Sequence, residues 1–100
     1  MKYKIDVVRI RENSITLNGW AIGKSPDSRA TFRVEDEKRQ PVKFKHVNTR
    51  IDDVSQIYFK KVLDREFGFD IQFPFERGMD YYLLIRCEGR QAKLKSNEEL

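Results

Sequence analysis

One hundred residues make one domain with its own core and leave no room for a catalytic domain beside a second module. Apolar residues are 39% and charged ones 36%, so a folded, well-solvated chain is expected, and no run approaches the ~18 apolar residues of a membrane span. Twenty basic against sixteen acidic residues give +4, too even a balance to specify a polyanionic partner by itself.

The chain has an all-β rhythm from the start. Met1-Lys2-Tyr3-Lys4-Ile5 runs straight into alternation with no apolar signal block behind it, so a secretion signal would have to lie elsewhere. Tyr3, Ile5 and Val7 alternate, Val8 and Ile10 continue on the other parity, and Arg11-Glu12-Asn13-Ser14 turns into a second strand, Ser14 to Ile22. There Ile15 and Leu17 alternate with Thr16 and Asn18, and then the parity of Trp20 and Ile22 breaks. Two readings follow. A β-bulge at Asn18 or Gly19 restores all four apolar side chains to one face and makes Trp20 a core anchor. Without a bulge the ring lies on the outer face, where it can stack on a sugar or a base. The bulge is preferred, because a domain of this size loses much by exposing its only tryptophan.

Gly23-Lys24-Ser25-Pro26-Asp27-Ser28 is a loop by composition, and Ala30, Phe32 and Val34 point inward from a third strand. After a turn over residues 36–40, Pro41 opens a fourth strand with Val42 and Phe44 inward and Lys43 and Lys45 in solvent. Between Thr49 and Asp64 the period becomes helical. Ile51, Val54, Ile57, Tyr58 and Val62 fall near one side, with Thr49, Asp52 and Asp53 as candidate caps, and this short helix is expected to cross between the sheets.

Phe67, Phe69, Ile71, Phe73 and Phe75 then alternate with Gly68, Asp70, Gln72 and Pro74, the cleanest period-two run in the sequence. Each such side chain contributes roughly 1.5–3 kcal/mol when fully buried. Tyr81 to Cys87 is apolar on both parities, as a strand covered on both faces would be. Gln91 to Lys95 is a short lysine-bearing strand of the kind that blunts a sheet edge. The expectation is an immunoglobulin- or fibronectin-like β-sandwich of about seven strands, with one short helix between the fourth and fifth. Residues 1–95 form the domain and residues 96–100 are a frayed tail or the start of a linker.

Chemistry is sparse. One histidine, His46, and one cysteine, Cys87, lie far apart, so no metal spacing and no Cys/His nucleophile is readable, and there is no glycine-rich phosphate loop. No cofactor is expected. Cys87 reads as a small buried side chain and fits a reducing compartment. Lys43, Lys45, His46 and Arg50, with Lys60 and Lys61 further on, offer a phosphate-facing patch, but alternation with Val42 and Phe44 makes it the solvent face of a strand, and no nucleic-acid motif accompanies it. Adjacent Asp52 and Asp53 read as helix-start carboxylates before they read as an acid and base pair. Arg50 is either a donor to a sugar hydroxyl or phosphate, with Trp20 or Tyr58 as a stacking surface, or it is tied to Asp53 or to loop carbonyls. The structural alternative is preferred.

Three segments, Ile15-Thr16-Leu17-Asn18-Gly19-Trp20-Ala21, Arg50-Ile51-Asp52-Asp53-Val54 and Gly68-Phe69-Asp70-Ile71, resemble the β-sandwich accessory modules of bacterial family-two glycosyltransferases that build cell-surface polysaccharides. The likeness runs from Tyr3 to about Lys95. It implies a cytoplasmic fragment, held at the inner face of the membrane through a parent enzyme whose nucleotide-sugar-binding domain and Asp-x-Asp signature lie outside this chain. This sequence has no Asp-x-Asp, so no catalytic residue carries over; Gly19, Trp20, Arg50, Asp53, Val54, Gly68 and Phe69 carry over as framework. The implied role is non-catalytic: positioning the catalytic domain of the same polypeptide, or the acceptor glycan. The alternatives are a carbohydrate-binding module in its own right, using Trp20, Arg50 and Tyr58, and, behind it, a nucleic-acid or phosphate binder.

Overall fold

The computed structural model describes residues 1–96. In chain order it has β1 (Lys2–Arg11), β2 (Ser14–Ile22), β3 (Thr31–Asp36), β4 (Lys45–Thr49), α1 (Asp52–Phe59), β5 (Gly68–Pro74), β6 (Tyr81–Cys87) and β7 (Arg90–Lys95). Two antiparallel sheets result, β1-β2-β5-β4 and β3-β6-β7. This is the strand division of an immunoglobulin constant domain, and the all-β sandwich with one short helix between β4 and β5 is as the sequence suggested. No helix among the described residues is long and apolar enough to cross a membrane.

The core forms between the inner faces. Ile15 and Leu17 from β2, Val34 from β3, Phe69, Ile71 and Phe73 from β5, and Leu83 and Ile85 from β6 are all buried in one cluster. The alternation of β5 continues to Phe75, which is also buried there; Phe67, at the other end of the run, is buried in a second cluster with Ile22 and Val54. Tyr81 opens β6. Its ring packs 5.7 Å from Phe73 and 5.2 Å from Phe75, and its hydroxyl accepts the Glu76 backbone N–H at 3.1 Å. That is the tyrosine corner of immunoglobulin sandwiches, here with buried Leu83 two residues on, where an antibody domain has a cysteine. Cys87 is a buried free thiol.

Several expectations need correction. The bulge exists, but on β1. β2 pairs with β5 without interruption from Ser14↔Pro74 to Trp20↔Gly68, whereas β1 shifts register between Ile5↔Gly19 and Val7↔Asn18, leaving Asp6 as the extra residue. Trp20 therefore faces outward with Thr16 and Asn18, half-buried, and joins the second cluster instead of the sandwich core.

Pro41 starts no strand. It makes one isolated bridge to Glu35, Val42 donates its N–H to the Val34 carbonyl, and β4 begins only at Lys45. β6 is central in its sheet but has one face in the core; Tyr82 and Leu84 are half-buried and Arg86 is exposed. The helix does not cross between the sheets, since it joins β4 to β5, neighbours in one sheet. Ser96, expected in the tail, is buried and its hydroxyl accepts the Tyr81 N–H at 3.0 Å; residues 97–100 lie outside the described residues.

Two substitutions separate packing from the corner. Leu17→Ala is expected to cost about 2–5 kcal/mol, because Leu17 has no exposed surface to relax into. Tyr81→Phe is expected to cost about 0.5–1.5 kcal/mol, one hydrogen bond. Urea denaturation of both variants checks the order; a larger loss for Tyr81→Phe would make the corner the main anchor of the fold.

Candidate functional site

The three segments behind the resemblance, up to about fifty residues apart in sequence, meet at one corner of the four-stranded sheet. Gly19 stands opposite Phe69, and in the next pair Trp20 stands opposite Gly68, with Thr49 on the far side of Gly68. Each glycine is there for a steric reason. A β-carbon on Gly19 would lie 2.2 Å from the Lys4 carbonyl oxygen and 3.0 Å from the Phe69 ring. One on Gly68 would lie 2.2 Å from Thr49 Oγ1 and 2.6 Å from Ile51 Cδ1. The Gly19 that looked like a bulge marker is thus a close-approach glycine, facing the bulge across the strand pair.

Ile51, seated over Gly68, starts the helix as its N-cap with no side-chain capping bond, and Asp52 and Asp53 occupy the first turn, where negative charge is favoured. The buried helical face differs from the expected one. Val54 and Ser55 are buried with Ile51 and Phe59 beside them, whereas Ile57 and Val62 are 69% and 53% exposed. Trp20 and Tyr58 do come together, with ring centroids 5.5 Å apart, and Lys2 Nζ sits 4.8 Å from the Tyr58 centroid. Arg50 is not with them. Its Nε donates to Asp52 at 2.6 Å and its Nη1 to Asp64 at 3.2 Å, in place of the expected Asp53. The hydrogen bond to Asp52 and the charge of that carboxylate raise the Arg50 pKa above its ordinary value; desolvation opposes them, and Asp64 adds a smaller rise.

Ser55 carries the next step. Its buried hydroxyl donates to the Lys61 carbonyl at 2.8 Å and accepts the Leu63 N–H at 2.8 Å. This fixes the path of the chain after the helix, and Asp64, Arg65 and Glu66 follow it into the wall of a cleft. The cleft holds about 350 Å³ and lies between the start of β3 and the facing ends of β4 and β5. It is lined by Ala30, Phe32 and Phe67 together with Arg29, Asn48, Asp64, Arg65 and Glu66, and its open surface is more polar than apolar.

The walls are cross-tied. Arg65 bridges to Asp27 at 3.0 Å, Ser28 Oγ accepts the Gly23 N–H at 3.1 Å, and Asp64 is held by Arg50. Arg29, Asn48 and Glu66 make no side-chain hydrogen bond or ion pair among the described residues, so both donors and an acceptor remain free for a ligand. The volume falls in the range of small-molecule sites.

Ser55, Arg29 and Asn48 were not singled out from the sequence. Ser55 carries no signal as a serine in a polar helix, and the other two gain meaning only when β3 and β4 are placed side by side. The basic patch does not gather there: Lys43 and Lys45 flank Phe44 and Phe73 on a separate surface, and His46 is exposed with its ring edge-on to Phe32 at 4.8 Å. No group of three or more potential metal ligands occurs among the described residues.

Ser55→Ala is expected to lower stability by about 1–3 kcal/mol, since the Leu63 N–H loses its partner in a buried place, and to speed amide exchange at residues 61–66. Gly68→Ala is expected to destabilise, because the added methyl would meet Thr49 Oγ1, Ile51 Cδ1 and Ile51 Cγ1 together; thermal unfolding reads it, and an unchanged midpoint would show that the corner relaxes around the methyl. Tyr58→Ala should shift the emission of the single tryptophan, Trp20, to the red. Among known proteins, no family model, curated protein or solved structure matches this chain.

Proposed function

We propose that this chain is a non-catalytic β-sandwich module of a bacterial glycosyltransferase of the polysaccharide-building kind, and that it acts by holding an acceptor glycan in place for a catalytic domain in the same polypeptide. The parent enzyme would keep it at the cytoplasmic face of the membrane. Two features support the reading. The residues that carry the resemblance, Gly19, Trp20, Val54, Gly68 and Phe69, converge on one corner as framework, with Arg50 and Asp53 at the adjoining helix start. The observation that carries the acceptor role is the cleft beside this corner, where two free donors, Arg29 and Asn48, and one acceptor, Glu66, stand near Ala30 and Phe32.

A sugar ring asks for that combination. Its hydroxyls both donate and accept, which suits Arg29, Asn48 and Glu66 together, and its C–H face asks for an apolar surface such as Ala30 and Phe32. Trp20 and Tyr58 form a second aromatic surface, the carbohydrate-binding alternative. There the two rings pack on each other and Lys2 covers Tyr58.

Titration of the ¹⁵N-labelled domain with envelope-type oligosaccharides tests this. Saturable amide shifts are expected at residues 28–32, 48 and 64–68, reduced by Arg29→Ala and Asn48→Ala and insensitive to Tyr58→Ala. Shifts centred on Trp20 and Tyr58 would move the site to the aromatic surface, and an absence of saturable shifts for any glycan would sink the acceptor role.

A further inference from the structure

The four-stranded sheet ends at β1, which pairs with β2 alone. Along its other side a ten-residue strand presents backbone N–H and C=O groups with no strand partner, and four of its side chains are large, apolar and exposed: Tyr3 39%, Val7 37%, Val8 38% and Ile10 46%. Tyr3, Val8 and Ile10 pair with Ala21, Leu17 and Ile15, all buried, so they lie on the core-facing side of the sheet. The opposite sheet does not cover them.

The two halves of this edge differ. The first is guarded: Lys2 and Lys4 flank Tyr3, Lys4 pairs with Asp6 at 3.6 Å, and the bulge at Asp6 disrupts the ladder. Past the bulge, Val7-Val8-Arg9-Ile10-Arg11 is regular and open, and neither Arg9 nor Arg11 makes a side-chain hydrogen bond or ion pair among the described residues. This is the kind of edge on which another strand adds.

Charge decides which strand. In a second copy of this chain paired antiparallel about the middle of the open half, Val8 would face Ile10 and Arg9 would face Arg9 across the two-fold axis, like charges directly opposed. A strand with acidic residues opposite Arg9 and Arg11, and apolar ones opposite Val7, Val8 and Ile10, meets every position with its complement. We propose that the open half of β1 binds an extended acidic and apolar segment of a protein partner as an added antiparallel strand, reading acidic-apolar-acidic-apolar-apolar from its N-terminus. The inference stands on the edge alone and goes beyond the acceptor reading.

The probe is a blocked peptide, Ser-Glu-Val-Glu-Val-Val-Ser, titrated into the ¹⁵N-labelled chain. Saturable shifts are expected at the amides of residues 7–11 and their β2 partners, weakening as salt is raised. Arg9→Glu, at an exposed position, should lose several-fold in affinity for this peptide and gain for the version with Lys in place of Glu. N-methylation of alternate valines should abolish binding, because it removes the ladder donors.

No shift at residues 7–11 would overturn the proposal. So would equal binding of the acidic and basic peptides, or full binding by the N-methylated one. A concentration-dependent dimer of the chain alone, mapping to β1, would give the edge to a second copy instead. None of these outcomes touches the cleft, so the acceptor reading fails or survives separately.

Discussion

The corner where β2, β5 and the helix meet depends on one fit between β2 and β5. Phe69 covers Gly19 on the core side, and one pair along, Gly68 stands opposite Trp20 with Thr49 and Ile51 closing over it. Glycine in a strand interior costs backbone entropy and leaves a gap. Here the gap is filled on both faces. The bare Gly19 lets the Lys4 carbonyl close in where β1 is bulged, and the bare Gly68 gives Ile51 a seat from which the helix begins.

From that seat the consequences run in order. The helix is eight residues long, too short to be stable on its own, so its position rests on burying Val54 against Ile22 and Phe67, with Trp20, Ile51, Phe59 and Leu63 around them. Ser55, one residue further, then fixes the returning chain through two part-buried hydrogen bonds, and the cleft wall follows. The ion pairs of Arg50 and Arg65 sit on the surface, where such pairs are worth little. They set the direction of the carboxylates more than they hold the loop. The cleft therefore inherits its shape from the small outer cluster, while the large sandwich core supplies most of the stability.

How much of this was legible depends on whether a residue's neighbours were local. β5 was plain because five apolar side chains obey one period over nine residues. β7 was plain because lysines on a short alternating run mark an edge. The parity break at Trp20 was also visible, but its cause was not. A sequence read strand by strand offers a bulge, whereas the real cause is a second apolar cluster on the outer face, built from a helix thirty residues away. The same blindness misplaced the helix face. Ile57 and Val62 fit an apolar stripe as well as Ser55 and Phe59 do until the sheet beneath is known, and the sheet chooses a serine because the loop beyond needs its hydroxyl. β4 starts late because Val42 already donates to Val34 across the sandwich, so residues 41–44 serve the other sheet's edge before the chain joins β5.

The strand pairing also fixes where two partners would sit. The cleft is lined by Ala21 of β2, Gly68 of β5 and Asn48 of β4, at the end of the sheet where β1 pairs through Tyr3, whereas the open half of β1 pairs with residues 14–18 of β2, further along the strands. An occupant at each can be held at once. β2 runs from one surface to the other and is paired with β5 without interruption from Ser14 to Trp20, so one regular ladder joins the two. A module that binds a sugar at one surface and a strand of its neighbour at the other would set the sugar at a fixed offset from that neighbour, which is what positioning an acceptor requires. A flexible tether supplies proximity but no direction, whereas a locked sheet supplies both.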